Sequence, residues 1–137
     1  MIAPRLPLIA AAGLLFAGTA AYAETPADFL NRYETEARGG APGFAASAAR
    51  GEAFFTSTHG NDWSCATCHT KNPSAGGKHA TTGKAIDPLA PAANPERFSR
   101  SKDVEKWFAR NCKDVLGRTC TAAEKADVVA WLTAKQR

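Results

Sequence analysis

Two thiols and an imidazole fall within five consecutive residues, Cys65-Ala66-Thr67-Cys68-His69. Thiols three positions apart can add to the two vinyl groups of one porphyrin. The adjacent imidazole then lies under the ring with a nitrogen aimed at iron, which is the pattern of c-type haem attachment. A small chain that holds a flat cofactor by two sulfur links must fold around it, so this motif constrains the architecture more than any other feature. The rival use of the same ligands is zinc, with His59 or His79 completing a tetrahedral site. That use leaves the adjacency of Cys68 and His69 without a reason.

The remaining composition suits one folded domain. The chain has 137 residues, 45% of them apolar, with 11 glycines and 8 prolines, which excludes disordered and collagen-like classes. Its 17 basic and 13 acidic side chains give +4. They are spread without a dense Lys/Arg block, a poor footprint for nucleic acid. Residues 1–23 read as a secretory signal peptide: a cationic start to Arg5, an apolar run from Leu6 to Ala21, and Ala21-Tyr22-Ala23 as a small-x-small cleavage site. The apolar run contains Pro7, Gly13 and Gly18 and falls short of the about 20 apolar residues that span a bilayer. The expectation is cleavage after Ala23, no stable membrane insertion, and a periplasmic product made of residues 24–137, a monohaem domain. Cleavage removes Met1, the single methionine, and leaves all four cysteines in an oxidising compartment.

The mature region reads as all-α. Thr25-Pro26 is an N-cap followed by proline at the first helical position, with Phe29, Leu30, Tyr33 and Ala37 at helical spacing and Gly39-Gly40 as the stop. Ser47 or a neighbour starts a second helix through Phe54-Phe55. Gly51 inside it costs about 1 kcal/mol against alanine unless close packing needs it. Residues 70–95 are loop by composition, long for a small domain unless they wrap something. Ser101 precedes a helix with Val104, Trp107 and Phe108, closed by Asn111. Thr121-Ala122-Ala123-Glu124 is a capping box that opens a last helix with Val128, Trp131 and Leu132 inward. No alternating strand pattern is visible.

Haem iron has a second axial position, and methionine, its usual occupant in small electron carriers, is gone from the mature chain. His59, His79, a lysine, Asn111 or no protein group remain as candidates. Two cysteines not used by thioethers, Cys112 and Cys120, are the pair left to form a disulfide in an oxidising compartment. Such a bridge would anchor the backbone next to Asn111.

The sequence resembles the sphaeroides haem protein family, high-spin c-type cytochromes related in fold to class I cytochromes c. The resemblance rests on Cys65-Ala66-Thr67-Cys68-His69-Thr70 with Lys71-Asn72-Pro73, on Ile86-Asp87-Pro88-Leu89-Ala90-Pro91 leading to Asn94-Pro95-Glu96-Arg97-Phe98, and on Trp107-Phe108-x-Arg110-Asn111-Cys112 followed by Gly117-Arg118-Thr119-Cys120-Thr121. It implies one haem c bound through Cys65 and Cys68, His69 as proximal ligand, Asn111 as distal ligand and a Cys112 to Cys120 disulfide beside the haem. Trp107, Phe108, Ile86, Leu89 and Arg97 are the expected pocket residues.

An asparagine amide oxygen is neutral and hard, a weaker match to haem iron than imidazole or thioether, and reduction softens the metal further. The expectation is a distal bond that breaks on reduction and opens a place for O₂, NO or CO, as the resemblance also implies. The alternative is a bis-histidine electron carrier using His69 and His79. The resemblance points to a diheme cytochrome c and a membrane cytochrome b as electron donors. Lys71, Lys78, Lys84, Arg97 and Arg100 form a candidate basic rim for acidic partners. No acid/base pair can be picked out around the distal site, so the chain reads as an electron-transfer and ligand-binding protein rather than a dedicated enzyme.

Overall fold

In a computed structural model that describes residues 23–134, the chain forms five helices and one short hairpin. They are α1 (Pro26–Gly40), α2 (Ala48–Thr56), α3 (Cys65–His69), β1 (Gly77–Lys78), β2 (Ala85–Ile86), α4 (Ser101–Leu116) and α5 (Ala122–Ala134). The expected signal segment lies outside the described residues except for Ala23. No helix among the described residues is long and apolar enough to cross a membrane.

Local chemistry explains the helix boundaries. Thr25 caps α1 in a reciprocal capping box with Asp28, followed by Pro26 at the first position. Ser47 caps α2 through its hydroxyl to the Arg50 N–H. Glu124 accepts from the Thr121 N–H at 2.8 Å while Thr121 Oγ1 accepts from the Glu124 N–H at 3.2 Å, the expected box at the start of α5.

The core forms where α5 packs on α1 and α2. Phe29, Tyr33, Phe55, Val129, Trp131 and Leu132 are buried in it, with the Phe55 and Trp131 rings 4.8 Å apart. Gly51 is the residue that lets α2 and α5 close up: a Cβ there would sit 2.0 Å from the Asp127 carbonyl oxygen and 2.9 Å from Trp131 Cβ. Its helix-propensity cost is therefore offset by burial across the interface. The same junction is pinned by Asp127, which accepts from the Ser47 N–H at 2.7 Å and from both arms of the Arg50 guanidinium at 2.8 Å.

Two expectations need correction. The helix bearing Trp107 and Phe108 does not close at Asn111 but runs on to Leu116. Val115 keeps the buried face going, and Gly117 in the left-handed region at φ 71° supplies the stop. The segment expected as plain loop contains the β1–β2 hairpin, with Gly77 opposite Ile86 and Lys78 opposite Ala85. Two-residue strands are too short for alternation to register, which is why the pattern was invisible. Their turn is fixed instead by His79, whose Nδ1 accepts from the Thr81 and Thr82 N–H groups, and by Gly83 at φ 69°.

Candidate haem-binding site

Between α4 and the layer formed by α2, α3 and α5 lies a cavity of about 450 Å³, within the range of cofactor pockets. α2 contributes Phe54 and Phe55, α3 Cys65 and His69, α5 Val128 and Leu132, and α4 Val104, Trp107, Phe108 and Asn111. The loop before α4 adds Leu89, Arg97 and Phe98. The lining is apolar where α2, α5 and Phe108 meet it, and polar along the segment from Asn94 to Lys106. His69 and Asn111 reach it from different walls.

The wall carrying His69 is built by a five-residue helix. Ser64 opens it: its N–H donates to Thr67 Oγ1 at 3.0 Å. Thr70, in the left-handed region at φ 64°, turns the chain away after His69. One turn of helix sets Cys65 and Cys68 on one side with His69 immediately after. The hairpin lies directly on this turn, since a Cβ on Gly77 would meet the Cys68 carbonyl oxygen at 2.1 Å. Cys68 Sγ accepts from the Ala80 N–H at 3.3 Å and sits at the cavity edge, outside its lining.

Electrostatics suit a neutral donor. Burial, with a smaller contribution from Arg97, pushes the His69 imidazole down to about 4, so the ring is uncharged at neutral pH with a lone pair to give. Its Nδ1 is buried without a hydrogen-bond partner, an unmet polar group at the wall of the cavity. Burial also pushes the Cys65 thiol up to about 11, keeping it protonated. Two free thiols and an uncharged imidazole beside a cavity of this size fit a covalently held haem. Among the described residues no cluster of three His, Cys, Asp or Glu side chains suits a bare metal ion.

On the α4 wall, Asn111 is half-buried and faces the cavity. Cys112, next to it, is joined to Cys120 with the Cα atoms 5.6 Å apart, and both cysteines line the same cavity. Trp107 lines it too while remaining 44% exposed, so it stands at the mouth. Arg97 is half-buried, its guanidinium donating to the Pro88 and Asp87 carbonyls at 2.8 Å. Burial holds its pKa below the ordinary arginine value.

The structure does not bring every candidate together. Ile86 sits on β2 and does not line the cavity, because its register opposite Gly77 ties it to the hairpin. His79 is likewise outside the lining, its Nδ1 engaged by the turn it closes. His59 packs its ring 4.6 Å from Phe54 and points Nε2 at the Phe54 carbonyl. Sequence reasoning assigned Val128 and Leu132 to core packing and missed that they also face the cofactor space. An apolar helix face gives the same signal whether it meets protein or porphyrin.

A family model described as a domain of unknown function (DUF1924) matches residues 42–132. The cytochrome c-type protein SHP of Cereibacter sphaeroides is 47% identical over 126 residues, covering 88% of this chain and 93% of that protein. The solved structure of oxidised SHP, described as an oxygen-binding cytochrome c, superposes with a TM-score of 0.73 at 46% identity, covering 82% of this chain and 98% of that one. The solution structure of cytochrome c'' from Methylophilus methylotrophus, presented as an account of haem-ligand detachment, gives a TM-score of 0.71 at 36% identity. It covers 82% of this chain and 94% of its own.

Proposed function

The chain belongs to the sphaeroides haem protein family, and from that premise we propose that it is a periplasmic, monohaem, oxygen-binding cytochrome whose Asn111 is a releasable distal ligand. Its cofactor is one covalently attached haem c. Bound, that group would supply an iron centre that changes charge by one electron and can take up a small diatomic molecule.

Cys65 and Cys68 hold the haem through thioethers, and His69 gives its neutral imidazole from α3. Asn111 offers an amide oxygen from α4. It would be the weaker of the two donors, since an amide oxygen is harder than an imidazole nitrogen and a poorer match to the softer reduced metal. The single observation that carries this reading is the placement of Asn111 and His69 on different walls of one cavity whose lining contains neither His59 nor His79. The descriptions of the relatives, one oxygen-binding and one studied for haem-ligand detachment, support it. Phe108, Trp107 and the disulfide flank the Asn111 side, where O₂, NO or CO would approach.

Electrons arrive in this reading from a diheme cytochrome c and a membrane cytochrome b. The lysines at 71, 78 and 84 are exposed and offer an acidic donor a docking edge near the haem turn. Residues 1–23 serve as the export signal.

Ferric and ferrous optical spectra of the mature holoprotein, with and without CO, test the distal assignment. Wild type is expected to lose its sixth ligand on reduction and bind CO, and Asn111→Ala to be five-coordinate already in the ferric state. An unaltered ferric spectrum in Asn111→Ala overturns the assignment. A ferrous wild type that stays six-coordinate without added ligand overturns the release.

A further inference from the structure

α4 carries Asn111, and among the described residues its backbone approaches the other helices less closely than does that of α5, which packs on α1 and α2, while Val104 and Phe108 lean on the core. It is held by separate ties. At its start the Glu24 carboxylate accepts from the Ser101 N–H at 2.5 Å and from the Ser101 hydroxyl. Near its end the bond to Cys120 and a 2.9 Å hydrogen bond from Asn61 Nδ2 to the Val115 carbonyl fix it.

The middle tie is a single carboxylate shared by three helices. Glu105 of α4 accepts from the Tyr33 hydroxyl of α1 at 2.6 Å through one oxygen and from the Lys125 ammonium of α5 at 2.8 Å through the other. The Lys125 ammonium also lies 5.1 Å from the centre of the Tyr33 ring and 5.8 Å from that of Phe108. Phe108 meets Tyr33 edge-on at 5.8 Å and itself lines the cavity. Burial alone would raise the Glu105 carboxyl, but the hydrogen bonds from Lys125 and Tyr33 outweigh it and hold the group below its ordinary range. It is therefore ionised, and the bridge closed, at neutral pH.

Resting on Asn111 as the distal ligand, we propose that Glu105 is a positioning residue: by bridging Tyr33 and Lys125 it sets how closely α4 stands over the cavity, and so how firmly Asn111 holds the haem iron. Six residues separate Glu105 from Asn111, about 9 Å along a stiff helix. A shift of α4 at the bridge is thus carried to the ligand. The bridge also seats Phe108, one turn on, in the wall beside Asn111. A weak donor is the kind most sensitive to such a shift, because little bond energy resists it.

The test uses holoprotein variants Glu105→Gln and Tyr33→Phe, with Lys125→Met as a milder third should either fold poorly. Glu105→Gln keeps an oxygen for Tyr33 but surrenders the charge that holds Lys125. It is expected to shift the ferric spectrum toward that of Asn111→Ala, weakening the Asn111 hold about tenfold, and to raise the reduction potential. Amide exchange over residues 101–116 should quicken while that over 122–134 does not. In an Asn111→Ala background the same substitution should leave the potential where it was. The proposal is overturned if Glu105→Gln lowers thermal stability without moving spectrum or potential, since the bridge is then only a brace. It is equally overturned if the potential shifts as much without Asn111, since the lost charge then acts on the haem directly. An Asn111→Ala protein with a wild-type ferric spectrum removes the ligand assignment itself, a result separable from both.

Discussion

The α2–α5 junction and the α4 wall border the same cavity, but different physics holds them. At the junction a glycine lets two backbones touch, aromatic rings stack behind it, and a buried carboxylate gathers Ser47 and Arg50. Across the cavity α4 packs Val104 and Phe108 against the core and is otherwise tied by a capping carboxylate, a shared glutamate and a disulfide. Close packing has one low-energy arrangement and resists displacement. A helix on polar ties can shift slightly as single links lengthen. In the proposed reading the strong ligand, His69, would stand on the packed side and the weak one, Asn111, on the side held more by single ties, so the scaffold would match a permanent bond with one that can be released.

The contrast breaks most visibly at Gly51. Gly51→Ala drives a methyl into the Asp127 carbonyl and should cost about 3 kcal/mol in denaturant unfolding of the holoprotein, more than alanine's gain in helix propensity returns. A variant as stable as wild type would mean that α2 slides freely on α5, and the rigid half of the comparison would fall.

A smaller loss, about 2.5 kcal/mol from the chain-entropy relation for so short a loop, is expected when Cys112 and Cys120 are both changed to serine. Amide exchange should localise the loss to 101–116. Equal loosening in α5 would show that the two regions share one cooperative unit.

The smallest effect is electrostatic. Glu105 has a carboxyl held below its ordinary value of 4.5, with Lys125, Tyr33 and Arg32 as its charged and titratable neighbours. A depressed carboxyl contributes stability above its unfolded value and loses it as pH falls through the folded one. Acidification below about pH 4.5 should therefore quicken exchange in α4, by less than about 1 kcal/mol for a partly exposed pair. Quickening on the alkaline side instead would reverse the sign and sink the argument.

Much of this was legible in the chain. Thr25-Pro26, Ser47 and Thr121 with Glu124 mark helix starts by side-chain chemistry that acts within four residues, and each stands where its chemistry puts it. Cys65 to His69 states its own purpose. Less legible were features that depend on partners far along the sequence. Nothing near Glu105 announces Tyr33, 72 positions away, and nothing near Ser101 announces Glu24. Asn111 read as the end of a helix because asparagine favours such ends, whereas Gly117 six residues on is the true stop. The hairpin at 77–86 was hidden because its turn is held by a histidine ring, a use of imidazole that composition does not flag.

Gly77 has an implication for anyone who would re-engineer the loop that follows the haem turn. With its missing side chain the hairpin rests on the backbone that presents Cys68 and His69, so a randomised library over 74–86 should return glycine at 77 nearly every time while tolerating wide variation at the exposed tip around Thr81 and Thr82. Selection for haem incorporation would thus read out backbone clearance, an attribute no inventory of ligands includes.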